Sequence, residues 1–150
     1  MDIDNIFSSL IKEIGYQNNK TVVINKVVMN SKEVEKNNLF VAIRGGNAYA
    51  NEALEKGAFV IYDDNTTNLN NNPNSFLVDD SVKFMQELAH EWRNVLNIKI
   101  IGITGSNGKT TVKDMVFQLL STKYNGKKTE GNYNNHIGLP FTLLRSEKND

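Results

Sequence analysis

The sequence predicts an α/β protein: a small N-terminal α/β domain, residues 1–80, followed by the first β-loop-α-β unit of a phosphate-loop ATPase domain, residues 81–150, cut short. Three observations point there. Short Val/Ile-rich runs alternate with stretches of helical periodicity, the strand–helix–strand order that goes with parallel pairing. One apolar run, residues 98–103, opens through Thr104-Gly105-Ser106-Asn107-Gly108 into a helical segment, the layout of a phosphate cradle. After that helix only one more strand-like stretch appears before residue 150, fewer than a nucleotide-binding sheet needs.

In chain order, Ile3, Ile6, Phe7, Leu10, Ile11 and Ile14 recur at helical steps, with Asp2 or Asp4 to cap the start and Gly15 to end it. Residues 21–29 read as one or two strands and 39–43 as another, separated by the polar turn Asn30-Ser31-Lys32-Glu33. Asn47 is the expected cap of a helix running to Lys56, with Ala53 and Leu54 inward and Gly57 as its stop. Residues 58–62 and 75–78 are strand candidates around an asparagine-rich loop, 63–74. Ser81 is the expected cap of a helix whose stripe of Val82, Met85, Leu88, Ala89, Trp92, Val95 and Leu96 faces a core. The domain boundary is expected between Asp80 and Ile98. Beyond it come the strand 98–103, a helix from Lys109 to about Ser121, a strand at 127–130 and a final helix at 141–145, with Pro140 in its first turn.

Composition narrows the function. The 150 residues carry 17 Lys and Arg against 17 Asp and Glu, so the basic patch of a nucleic-acid binder is not expected. No cysteine is present, which removes disulfides and thiolate chemistry. The acidic start Met1-Asp2-Ile3-Asp4 is unlike a signal peptide, and no run has membrane-spanning length; a cytoplasmic monomer without membrane contact is the expectation.

The chemistry gathers in Thr104-Gly105-Ser106-Asn107-Gly108-Lys109-Thr110-Thr111. Small residues leave room for backbone N–H groups to surround the phosphates of ATP. Lys109 is placed to reach the β/γ-phosphates as the catalytic cation, and the Thr110 hydroxyl to ligate magnesium. The general signature begins with a glycine where this chain has Ile103. Of the two histidines, His90 lies within a helix as a surface or packing residue, and His136 is not assigned a catalytic role.

This loop resembles the ATP-binding loop of the Mur ligases, the ATP-dependent amide-forming enzymes of peptidoglycan synthesis. A second block, Gly131-Asn132-Tyr133-Asn134-Asn135-His136-Ile137-Gly138-Leu139-Pro140, resembles the branch that adds D-alanyl-D-alanine to UDP-N-acetylmuramoyl-tripeptide. Leu39-Phe40-Val41-Ala42-Ile43-Arg44-Gly45 and Asn30-Ser31-Lys32 are similar to the N-terminal domain of the same branch, with Lys32 where an arginine is usual and Tyr49-Ala50-Asn51 where Asp-Gly-His is usual. The resemblance implies that residues 1–80 hold the UDP end of the precursor through Ser31 and Lys32, unless these are simply a solvated turn. It implies that Asn134 and Asn135 lie near the reacting carboxylate or phosphate, unless they only stabilise a turn. It implies a reaction through an acyl phosphate, with a metal carboxylate and a closing domain that lie beyond this sequence. The chain alone is then expected not to ligate. Another Mur or folylpolyglutamate-type ligase, or a non-catalytic nucleotide-binding fragment, are the alternatives.

Overall fold

The computed structural model describes residues 2–17, 21–69, 72–131 and 135–148. The chain forms two compact units, Met1–Leu88 and Ala89–Asp150.

The first unit is built on a fully parallel sheet in the order β1-β2-β3-β4, from Lys26–Val28, Asn38–Val41, Phe59–Tyr62 and Ser75–Leu77. β2 is buried along its whole length, as expected of a strand covered on both faces. On one face Phe7 of helix α1 (Ile3–Glu13) packs its ring against Phe59, Phe76 and Phe84 at centroid distances of 6.4, 5.4 and 6.0 Å. Phe84 comes from helix α3 (Ser81–Leu96). On the other face Val28, Phe40, Val60 and Leu69 cluster with Ala50 and Ala53 of helix α2 (Ala50–Glu55). Alternate strand residues thus serve opposite layers, with Phe59 to one helix layer and Val60 to the other.

Sequence expectation and structure agree on α1 and on its stop at Gly15, at φ +95°. They differ at two helix starts. Asn47 does not cap α2: it lies in a 3-10 turn, Arg44–Tyr49, with its amide held by Asp63. Asn47 Nδ2 donates to Asp63 Oδ1 at 2.8 Å, and Asp63 N–H donates back to Asn47 Oδ1 at 3.3 Å. The α3 cap is Asp80 rather than Ser81. Its Oδ1 accepts the backbone N–H groups of Val82 and Lys83 at 2.8 and 2.9 Å, while Ser81 is fully buried and gives its own N–H to Asp63 Oδ2 at 3.0 Å. Asp63, just past β3, draws Asn47 away from a capping role by offering a charged acceptor, whereas at α3 the neighbouring Asp80 carboxylate takes the cap that Ser81 was expected to make. The exposed edge of β4 is closed by Tyr16, whose hydroxyl accepts from Leu77 N–H at 2.7 Å and donates to Leu77 O at 3.2 Å.

The second unit contains the end of α3, helix α4 (Lys109–Leu120) and helix α5 (Gly138–Leu144). Neither 98–103 nor 127–130 is a strand, contrary to the sequence expectation. A strand exists only through a partner's hydrogen bonds, and among the described residues of this unit there is no paired neighbour. The apolar side chains remain accordingly open: Ile101 is 60% exposed, and no residue of α4 is buried.

Candidate functional site: a phosphate cradle

The loop leading into α4 has the backbone its sequence calls for. Gly108, the residue before the helix, takes a left-handed φ of +73°. A Cβ there would meet nothing within 4 Å, so the requirement for glycine is conformational rather than steric. Gly105 is at φ +155°, and a Cβ on it would make only ordinary contact, 3.7 Å from the Asn107 carbonyl, so here too the demand for glycine is conformational.

The helical ladder begins with Val112 N–H donating to Gly108 O at 2.9 Å. The amides of Lys109, Thr110 and Thr111 precede that bond and have no acceptor in the helix itself. With no acidic residue in the first turn, the helix dipole and these amides leave a positive, anion-seeking concavity. Lys109 Nζ curls back and donates to the Gly105 carbonyl, so the ammonium sits within the loop it would share with a phosphate. All eight residues from Thr104 to Thr111 are open to solvent or only half-buried. These features fit a nucleotide triphosphate tail. For magnesium the chain offers the exposed Thr110 hydroxyl; among the described residues no group of three or more Asp, Glu, His or Cys side chains could hold a metal. A magnesium ion here would take Thr110, phosphate oxygens and water, a set that suits this hard cation.

The second motif is tied to this helix. Lys113, one turn beyond Lys109, donates from Nζ to the Thr129 carbonyl at 2.7 Å and the Gly131 carbonyl at 3.2 Å. Next to it Asp114 receives Lys128 Nζ at 2.6 Å. This hydrogen bond, helped by the charges of Lys128 and Lys113, holds the Asp114 carboxyl below its ordinary range. Arg145 Nη1 meets Glu130 Oε1 at 3.2 Å. Sequence reading did not single out Lys113, Asp114 or Lys128. The available signal was the i,i+4 spacing of Lys109 and Lys113, which places both on one helix face.

Asn135 Oδ1 accepts the N–H groups of Ile137 and Gly138 at 3.1 and 2.9 Å and so anchors the start of α5, with Pro140 in its first turn. Its oxygen does the turn-stabilising work. Asn134 lies outside the described residues. Ser31 and Lys32 belong to the first unit, in the 3-10 turn Ser31–Glu33, where Asn30 Oδ1 accepts Lys32 N–H at 3.1 Å and the Ser31 carbonyl accepts Lys56 Nζ at 3.2 Å. The Lys32 side chain is exposed and His90 is a surface residue, with its Nε2 4.0 Å from Glu91. No helix among the described residues is long and apolar enough to cross a membrane.

Residues 103–150 match the Mur ligase middle domain. The UDP-N-acetylmuramoyl-tripeptide--D-alanyl-D-alanine ligase of Bacillus subtilis (strain 168) is 41% identical over 132 residues, covering 85% of this chain and 29% of that protein. The enzyme of the same name from Synechocystis is 39% identical over 126 residues, covering 81% and 28%. This chain therefore spans under a third of the length of these curated relatives. Among solved structures, MurF ligase from Thermotoga maritima in complex with ADP is 38% identical with a TM-score of 0.69, over 83% of this chain and 30% of that one. A MurF crystal structure from Acinetobacter baumannii, at 22% identity, shares the fold over 97% of this chain and 33% of its own, with a TM-score of 0.76. The middle-domain match starts one residue before the phosphate loop, and the alignment with the D-alanyl-D-alanine ligases takes in most of the chain, so this chain belongs to the Mur ligase family.

Proposed function

We propose that this chain is the nucleotide-binding and precursor-binding portion of an ATP-dependent ligase that joins D-alanyl-D-alanine to UDP-N-acetylmuramoyl-tripeptide in peptidoglycan synthesis. The observation that carries the reading is the cradle at the start of α4: left-handed Gly108, three amides ahead of the helical ladder, and Lys109 turned onto the loop. The names of the relatives supply the acceptor and the incoming dipeptide. The ADP bound to the Thermotoga maritima enzyme supports the nucleotide.

In this reading residues 1–80 receive the UDP end of the precursor, with Ser31 and Lys32 at its phosphates or sugar. Residues 81–150 are the connecting helix and the opening of the ATP-binding domain. Lys109 and the amides of residues 104–111 hold the β- and γ-phosphates and offset the charge that develops as the γ-phosphoryl group passes to the precursor carboxylate. Magnesium, held by Thr110, would neutralise phosphate oxygens. The dipeptide amine then displaces phosphate from the acyl phosphate. Asn134 and Asn135 are assigned contacts near the reacting carboxylate or phosphate, and the Asn135 side-chain N–H₂ is its group for that contact. The protein works as a cytoplasmic monomer, with no nucleic acid or membrane partner.

Calorimetric titration of the chain with ATP or ADP and magnesium, and separately with UDP-N-acetylmuramoyl-tripeptide, tests the assignment. Binding of the nucleotide that is weakened in Lys109→Met supports it. Absence of nucleotide binding by the unaltered chain overturns it.

A further inference from the structure

Two sequence motifs, the phosphate loop and the Gly-Asn block, are separated by a whole helix and its following loop, yet a side chain of that helix reaches the start of the second motif. Lys113 sits on α4 four residues past Lys109, about one helical turn along the same face. Its ammonium is satisfied by two main-chain carbonyls, Thr129 at 2.7 Å and Gly131 at 3.2 Å. Those carbonyls flank Glu130, whose carboxylate is held by Arg145 at 3.2 Å, and Gly131 takes a left-handed φ of +49°. The adjacent Asp114 grips Lys128 at 2.6 Å, so consecutive residues of α4 fasten consecutive stretches of the same segment. Unlike Asp114 and Lys128, Lys113 uses neutral acceptors, which fix geometry in the main chain itself rather than in the ends of two flexible side chains.

We propose that Lys113 is a positioning residue that fastens the turn at residues 129–131 to the helix of the phosphate cradle, so that the entrance of the Gly-Asn block orders with the cradle. Phosphate seated on the amides of Lys109, Thr110 and Thr111 fixes the first turn of α4, and Lys113 passes that order to the turn. This coupling rests on the phosphate-binding reading above; the fastening of the turn does not.

The test uses the chain labelled with ¹³C and ¹⁵N. In Lys113→Met the carbonyl ¹³C resonances of Thr129 and Gly131 are expected to move upfield as they lose a hydrogen bond, that of Gly105 to stay in place, and Lys113→Arg to restore the first two. With ADP and magnesium, the heteronuclear NOE of the Glu130 amide is expected to rise in the unaltered chain and to stay flat in Lys113→Met, whose nucleotide affinity changes less than threefold. Lys113→Gln, a shorter, uncharged side chain that keeps amide donors, replaces Met should the latter unfold the unit, with a partial shift expected. Unchanged Thr129 and Gly131 carbonyls in the variant overturn the proposal. So does a weakening of nucleotide binding as large as in Lys109→Met, which makes Lys113 a ligand contact. An unaltered chain that binds no nucleotide overturns the phosphate reading alone, because the carbonyl comparison still decides the role of Lys113.

Discussion

At the residue scale, the cradle depends on the Lys109 ammonium and on the left-handed backbone at Gly108. Lys109 is exposed, so its removal leaves stability nearly unchanged; a charged hydrogen bond to phosphate contributes about 1.5–3 kcal/mol, and Lys109→Met is expected to weaken ADP binding roughly 10- to 100-fold by calorimetry. Gly108→Val forces a β-branched residue into the left-handed region at a cost of about 1–3 kcal/mol, and we expect weaker nucleotide binding together with a frayed first turn of α4 in amide exchange. Asp114 carries one pH dependence. Its carboxyl titrates below the ordinary 3.8 because Lys128 favours the charged form, so its contribution is complete above the unfolded value and is lost as pH falls through the folded one. A ¹³C titration of the carboxyl is expected to show this depression, and Lys128→Met to return the midpoint towards the ordinary value.

At the element scale, the sheet unit is where stability resides. Phe7 is fully buried among Phe59, Phe76 and Phe84, and Phe7→Ala is expected to cost about 3–5 kcal/mol in urea denaturation followed by far-ultraviolet circular dichroism. Asp63 joins three elements: the 3-10 turn through Asn47, the end of β3 through its own position, and the start of α3 through Ser81 N–H. The periodicity of residues 3–14 and 81–96 was enough to place α1 and α3. The role of Asn47 was not legible, because Asp63, which holds its amide, is distant in sequence and acts only once β3 has brought it there; the α3 cap was a local choice between the neighbours Asp80 and Ser81.

At the scale of the whole molecule, the two units are unequally buried. Among the described residues, the twelve largest side chains below 2% exposure all fall in the first unit, whereas α4 buries none of its residues. We expect unfolding that is not two-state: the fluorescence of Trp92, the single tryptophan and a residue of the second unit, should change at lower denaturant than the circular dichroism of the sheet unit. Coincident transitions would contradict this.

What the order of residues determined by itself was the alternation of strand and helix segments in the first unit, the helix beginning at Lys109 and the left-handed glycine ahead of it, because these depend on neighbours within one or two turns of chain. Tertiary structure decided the rest. Residues 98–103 and 127–130 have strand composition but lack a partner among the described residues of their unit, and pairing is not a local property. Asn135 has the composition of a binding residue, and its oxygen is claimed by the amides of Ile137 and Gly138. The link between the phosphate helix and the Gly-Asn block runs through Lys113 and two carbonyls, which have no side-chain identity for a sequence to reveal.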